Sequence, residues 1–404
     1  MFRIAMAGRN VRRHTVRSAF AVGAIAFGAA ALLLASGFIE RIFVDFRESS
    51  IHSRLGHVEL TKPGYRQHGT ADPYRYLIPS QPSLSERLGA LPTVAAIAPR
   101  LYFSGLASHG DTTLSVLVEG VLPDKEVHLS DAMTISAGHR LDAEDTAGVI
   151  VGEGLAANLG VKPGDELVLL ATTGAGGVNA VELTVRGLFF TVTKAYDDSA
   201  MRIQLSTAQR LLRVSGSHVW TVLLRDTADT PIALHQIEKI VGNNLDAVPW
   251  WDLADFYNKT VKLFSRQLDI VRLIVGAIIV LSITNTMFLT VVERTSEVGT
   301  LMAMGTKRRE IVAMFLLEGL LLGLIGACVG LMLGSTIAAF ATWIGIPMPA
   351  PPGMSHGFLG GVLVTRATLF DSLTLAIVTT TVASILPAVK AARMPVVDAL
   401  RHSR

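Results

Sequence analysis

The sequence predicts a membrane protein of four transmembrane α-helices with a large mixed α+β periplasmic domain inserted between helices 1 and 2. Three observations predict it. Half of the 404 residues are hydrophobic and 17% are charged, with a mean hydropathy of +0.45, too apolar for an ordinary soluble chain. No charge occurs between Arg17 and Glu40, between Arg272 and Glu293, or between Asp371 and Lys390, and a fourth run from Ile311 to Ile346 carries only Glu318. Each run is long enough, or nearly so, to cross about 30 Å of hydrocarbon as a helix. The long segment between the first two runs instead alternates strand patterns with turn formers.

The elements follow in order. A basic segment over 1–18 leads into transmembrane helix 1 at 19–39. That helix is too long for the apolar core of a signal peptide and continues into IERIFVDF without a small-residue cleavage site, so it is expected to stay as an anchor. Residues 40–268 form the inserted domain. Its strand signals are LSVLVEGV (114–121), GVIVGEG (148–154), DELVLL (165–170), AVELTVRGLFF (180–190), MRIQL (201–205) and VWTVLLRD (219–226). STAQRLLRV and IALHQIEKIVGNNL read as helices between them. At the domain's ends Ile39, Ile42, Phe43 and Phe46, and then Phe256, Val261, Phe264 and Leu268, repeat at helical spacing. They predict a two-helix stalk that continues the membrane helices outward. Transmembrane helix 2 follows at 270–292, a charged segment at 293–310, helix 3 at 311–343, a Pro-rich loop at 344–370, helix 4 at 371–389 and a tail at 390–404.

Cations set the expected orientation. Arg3, Arg9, Arg12, Arg13 and Arg17 precede helix 1; Arg294, Lys307, Arg308 and Arg309 lie between helices 2 and 3; Lys390, Arg393, Arg401 and Arg404 follow helix 4. The 344–370 loop has only Arg366. The positive-inside rule therefore puts both termini and the 293–310 segment in the cytoplasm, and the inserted domain and Pro-rich loop outside. A pI near 9.0 needs no nucleic acid as partner, because the excess cations sit where they meet anionic membrane lipids. The one cysteine, Cys328, lies in an apolar run, so the outer domain folds without a disulfide.

Of the motifs for bond chemistry, no HExxH and no CxxC occurs in the sequence. GTLMAMGTK is no phosphate loop, since five residues separate Gly299 from Gly305 and Thr306 precedes Lys307. His52, His57 and His109 read as polar surface residues. No catalytic or metal-binding residue is expected.

The stretch VVERTSEVGTLMAMGTKRREIV (291–312) carries more information. Val298, Leu301 and Met302 share a helical face, Gly305 is a helix stop, and Thr306 is placed to cap the next helix. Lys307 to Arg309 sit at a helix start, where the dipole favours anions, so lipid phosphate, topology or a partner must compensate. Such a helix suits the groove of a soluble partner, whereas one resting in headgroups would have a larger apolar face. In the next span Gly319, Gly323, Gly326, Gly330 and Gly334 form a helix-packing seam. Glu318, near the cytoplasmic end of that span, is read as structural, snorkelling or pairing with an arginine, and Asn285 as interhelical glue. PMPAPPGM (347–354) forbids helix; Pro347, Met348, Pro351, Pro352 and Met354 make either a stiff connector or a loop that touches substrate or partner.

VVERTSEVGTLMAMGTKRREIVAMFLLEGLLLGLIGACVG resembles the signature region of the FtsX/MacB superfamily of ABC transporter permeases. RNVRRHTVRSAF (9–20) is similar to the family's basic approach to its first helix, and LPAVKAARMPVVDALR (386–401) to its closing pattern. GVIVGEGLAANLGVKPGDELVLL, with VRGLF, AYDDS and STAQRLL, is most similar to the lipoprotein-releasing (Lol-type) permeases. The resemblance implies a mechanotransmission machine in the bacterial inner membrane, in which two permeases, copies or paralogues, each dock on a cytoplasmic ABC ATPase. It implies that 291–312 is the coupling segment, with Glu293, Arg294, Glu297, Gly299, Met302, Gly305 and Thr306 contacting or shaping the ATPase interface. No cofactor is implied in this chain, because ATP and Mg are bound by the partner ATPase. Unlike MacB itself the sequence has no Walker motif, FtsX itself has a smaller outer domain, and the bacitracin-resistance permeases have ten spans. The implied function is extraction of a hydrophobic substrate, foremost lipoprotein, with a periplasmic carrier or adaptor as further partner. The alternatives are tripartite efflux of small amphiphiles or toxins, and FtsX-like signalling to a cell-wall hydrolase.

Overall fold

Charge-free runs become long helices because a segment in lipid must satisfy its backbone groups within itself. The computed structural model describes residues 15–69, 71–351 and 353–395; the basic positions Arg3, Arg9, Arg12, Arg13, Arg401 and Arg404, and Pro352, lie outside these. Helix α1 spans Thr15–Ser50, 36 residues, or about 54 Å at 1.5 Å per residue. That exceeds the hydrocarbon thickness by several turns. It ends in a π-helical turn, Ile51–Leu55, closed by Gly56 N–H on Ile51 O at 2.9 Å.

The inserted domain is built on ten strands: β1 (Val58–Thr61), β2 (Val94–His109), β3 (Thr112–Val121), β4 (Thr134–Gly138), β5 (Gly148–Gly152), β6 (Glu166–Thr172), β7 (Val178–Phe190), β8 (Ala200–Gln204), β9 (Val219–Leu224) and β10 (Asp246–Pro249). Their order is β10-β1-β9-β2-β3-β8-β5-β7-β4, with β6 bridging β2 and β7. All six strands expected from the sequence are present. The longest, β2, was not among them. Among the described residues its first part, Val94–Arg100, pairs only with β9, and Leu101–His109 turns to β3 and β6. Pro99 is therefore tolerated, because it sits where β2 is an edge.

Two cores result. Helices α2 (Pro82–Gly89), α3 (Pro123–Leu129), α4 (Leu205–Leu212) and α5 (Thr230–Val241) lie between strands in sequence. Leu88 of α2 and Ala233, Ile237 and Val241 of α5 cover Val58, Leu60, Trp220 and Val222. Ala208, Leu211 and Leu212 of α4 pack with Val116, Val118, Val149, Leu169, Leu183 and Ile203. The alternating strand pattern thus buries one face of each sheet region under a helix.

Two histidines are buried in this domain, and one corrects the sequence reading. His57 is 1% exposed rather than a surface residue, and His218 is 0% exposed. His57 Nδ1 accepts from Leu224 N–H at 3.0 Å, so its Nε2 carries the proton toward Thr227 Oγ1 at 3.0 Å. His218 likewise accepts from Tyr102 N–H at 3.1 Å and donates to Pro73 O at 3.1 Å. Burial lowers both from 6.5 to about 4, helped at His57 by the nearby His52. Unfolded imidazoles take up a proton below pH 6.5 and these do not until about pH 4. Stability is therefore full above pH 6.5 and falls between pH 6.5 and 4, by up to about 1.4 kcal/mol per unit per histidine. We expect His218→Gln to lower the unfolding midpoint at pH 7.5 and to flatten this acid slope; an unchanged slope would rule out its origin at His218.

The remaining long helices are α6 (Asp255–Glu293), α8 (Arg308–Ile344) and α9 (Arg366–Arg393), with the short α7 (Thr295–Ala303) between α6 and α8. Like α1, these three are long and apolar enough to cross a membrane. The described residues fall into two units: one runs to Phe43 and includes Thr260–Pro347 and the chain from Leu359, the other is Val44–Lys259 with Met348–Phe358. The stalk faces meet within each. Phe43 packs edge-on against Phe264 at 6.4 Å, and Phe46 against Phe256 at 5.5 Å between ring centroids.

Candidate coupling site

The helical unit is closed by small residues. A Cβ on Gly319 or Gly323 of α8 would strike Ser384 or Thr380 of α9, one on Gly326 or Gly330 would strike Ile25 or Ala26 of α1, and one on Gly334 would stand tightly against Leu33 of α1 at 3.1 Å. The five glycines therefore line two seams, one on each neighbour, letting both backbones approach closely. Thr284 Oγ1 adds an interhelical bond to Ala383 O at 3.1 Å.

Between α6 and α8 the chain makes a built corner. Arg294 breaks the helix with φ −99° and ψ 15°. Its side chain is turned inward: Nη1 lies 3.1 Å from Glu318 Oε2 and Nε 3.0 Å from Glu297 Oε2, with the guanidinium over the Phe315 ring at 5.8 Å. Arg294 and Glu318 side chains are each 7% exposed. This supplies the counter-charge an acid within an apolar span requires.

From that corner α7 lays its apolar side on the bundle. Val298 is fully buried, Gly299 is buried, and Leu301 and Met302 pack against the cluster of Val291, Ile311, Phe315 and Ala388. The helix ends in a Schellman motif, with Thr306 N–H on Leu301 O at 3.1 Å and Gly305 N–H on Met302 O at 3.0 Å. Gly305 supplies the φ of +93° that the motif needs. Thr306 is consequently not the cap of α8, as the sequence suggested. Its amide is used by the motif, and Lys307, extended at ψ 145°, takes the cap position without a side-chain bond.

The seven expected coupling residues thus divide. Arg294 and Gly299 are buried, Met302 and Thr306 half-buried, and Glu293, Glu297 and Gly305 exposed. The outer surface also includes Thr300, Ala303, Lys307, Arg308, Arg309 and Met304, the last 71% exposed. Sequence reasoning passed over Met304, although its place just before the stop glycine separates it from the packed face.

The other candidate loop is docked. Gly353 O accepts from Lys194 N–H at 2.8 Å, and His356 stacks on Phe190 at 3.8 Å while its Nε2 reaches Glu153 Oε2 at 2.5 Å. Pro347 is exposed, and Met348, Pro351 and Met354 are half-buried. Among the described residues no cluster of side chains could hold a metal ion.

Comparison with known proteins adds to this geometry. A family model described as the MacB-like periplasmic core domain matches residues 18–240, and one described as the FtsX-like permease C-terminal region matches residues 270–396. The macrolide export ATP-binding/permease protein MacB of Brucella abortus is 35% identical over 208 residues, which cover 49% of this chain and 29% of that protein. The lipoprotein-releasing system transmembrane protein LolE of Haemophilus influenzae is 23% identical over 267 residues, 63% of each chain. The crystal structure of the periplasmic region of MacB from Actinobacillus actinomycetemcomitans is 13% identical, covering 53% of this chain and 95% of that one, at a TM-score of 0.37. The chain spans less than two thirds of the length of these curated relatives.

Proposed function

The chain belongs to the FtsX/MacB superfamily of ABC transporter permeases, and from that premise we propose that it is the membrane subunit through which an ABC ATPase moves the inserted domain. The 404 residues contain no Walker motif; we assign nucleotide hydrolysis to a separate cytoplasmic subunit that binds the ATP and Mg. The observation that carries the reading is the α6–α7–α8 corner. A short helix held by a buried ion pair and by Val298, exposing Glu297 and followed by exposed Met304 and by Lys307 to Arg309 at the start of α8, suits a rigid lever gripped from outside. A segment resting passively in headgroups needs neither the buried pair nor an apolar face committed to its own bundle.

In this reading the arginine and lysine bias puts α7 and both termini in the cytoplasm and the inserted domain on the far side of a bacterial inner membrane. Two permeases pair, as copies or paralogues. The substrate is hydrophobic, and lipoprotein is our first assignment, supported by a LolE match that extends over 63% of each chain. A periplasmic carrier would then receive it. Export of a small amphiphile through an adaptor is the second reading, favoured by the 35% identity to a macrolide exporter.

Purification from native membranes in mild detergent, with mass spectrometry of bound proteins and lipids, tests this directly. An ATPase recovered with a triacylated lipoprotein, and ATP hydrolysis stimulated by that lipoprotein, is the expected result. Stimulation by a macrolide and not by lipoprotein moves the substrate to the second reading. Recovery of a cell-wall hydrolase, with neither substrate affecting hydrolysis, overturns transport in favour of signalling.

A further inference from the structure

Where α1 ends, four charges are buried together. Arg100 of β2 and Arg202 of β8 have side chains 0% and 1% exposed, and Glu119 of β3 and Glu126 of α3 are 3% and 9% exposed. Arg100 binds Glu126 with both prongs, Nε to Oε1 at 2.7 Å and Nη2 to Oε2 at 2.8 Å. Arg202 Nε donates to Glu119 Oε2 at 2.8 Å and its Nη1 to Ser130 Oγ at 2.8 Å, while Ser130 Oγ donates to Glu126 Oε2 at 2.6 Å. The charges cancel within the group. Burial pushes the Glu126 carboxyl up, and the two arginines more than reverse this, to about 2.

Each guanidinium keeps one prong for the helix. Arg202 Nη2 donates to Ser53 O at 2.9 Å, and Arg100 Nη1 donates to Arg54 O. These carbonyls belong to the π-helical turn that finishes α1, where carbonyls have lost their intrahelical partners and the helix dipole favours a cation. Water or an ordinary cap satisfies such groups at most helix ends. Here the donors come from the sheet, on two different strands.

Stability alone does not call for this arrangement, because a buried ion-pair cluster gains little over well-packed apolar residues of the same volume. The four charges supply directional attachment, which apolar packing lacks. From this geometry we infer that Arg100 and Arg202 are positioning residues that fix the outer end of α1 to the sheet, so that displacement of the helix moves the domain as one body. Glu119, Glu126 and Ser130 hold the two guanidiniums at the required angle. This rests on the functional reading above, in which motion of the membrane helices is the output of ATP hydrolysis.

The test is the complex with its ATPase in proteoliposomes, comparing wild type with a variant in which the quartet is made apolar (Arg100→Met, Glu119→Leu, Glu126→Leu, Arg202→Met). The expected variant folds, hydrolyses ATP near the wild-type rate, and releases at least tenfold less triacylated lipoprotein, the substrate probe, per ATP. Wild-type release per ATP in a folded variant overturns the inference. Arg202→Lys is expected not to restore coupling in full, because lysine has no fork to reach Glu119, Ser130 and Ser53 together. Hydrogen exchange on the wild type needs no variant to fold. Amides of residues 51–57 should stay as protected during ATP turnover as those of β2 and β3, and selective loss of their protection would show the helix end working loose. If the wild type releases no substrate at all, the functional reading fails, and the exchange experiment still decides on the attachment.

Discussion

Replacing Glu318 with Leu should separate the ATPase from this subunit while leaving the inserted domain folded. The change removes from Arg294 its buried counter-charge, with both side chains 7% exposed. Breaking a buried pair from one side costs about 3–5 kcal/mol, and we expect the lower end, because Glu297 remains 3.0 Å from Arg294 Nε. The guanidinium should then follow Glu297 outward, taking the start of α7 with it. Restoring neutrality with Arg294→Met in the same chain should recover most of the loss. Recovery of the ATPase by affinity purification from the four members of the cycle reads this coupling. Equal recovery from all four would mean that the pair has no part in presenting α7.

The second large effect is expected at Gly330. A Cβ there would stand 2.4 Å from Ala26 O and 2.9 Å from Ala26 Cα, so α1 and α8 must part even for alanine. Overpacking of this kind costs about 1–3 kcal/mol. Gly323 offers a graded comparison, because its nearest neighbour is the Thr380 side chain at 2.2 Å, whose hydroxyl can rotate away. Gly276 has only Thr379 Cγ2 at 3.4 Å, ordinary contact. Thermal unfolding in detergent should therefore rank Gly330→Ala below Gly323→Ala and leave Gly276→Ala close to wild type. A Gly330→Ala protein as stable as the Gly276→Ala one would mean that the α1–α8 seam does not hold the bundle.

These sites differ in how far the sequence foretold them. The four long helices were legible because lipid imposes one dominant requirement, a sufficiently long run with little or no charge, and the chain meets it four times. The glycine seam was legible as a seam; that it splits between α9 and α1 at Gly326 depends on helix crossing, which spacing within α8 does not encode. Val298, Leu301 and Met302 were correctly placed on one face of a helix, yet periodicity cannot say whether that face meets a partner or the chain's own bundle. Arg294 and Glu318 lie 24 positions apart, and nothing local to either indicates the other. The attachment at the end of α1 was hidden more completely. Glu119 and Arg202 sit inside LSVLVEGV and MRIQL, where a charge reads as the solvent face of an alternating strand. Here β3 and β8 are parallel neighbours that pair Glu119 with Arg202 in register, and the face they share is buried. His57 was misread for the same reason: a polar residue near a helix end suggests surface until the partners that satisfy it are seen.

The central claim is that an ABC ATPase grips the outer side of α7. A photoreactive amino acid at Met304, 71% exposed at the end of that helix, tests it in intact membranes, with a second probe at Leu281, 72% exposed within the apolar run of α6, as control. The account predicts an adduct with the ATPase from position 304 and none from 281. Adducts with lipid alone at both positions, from membranes in which the ATPase copurifies with the wild type, would contradict it.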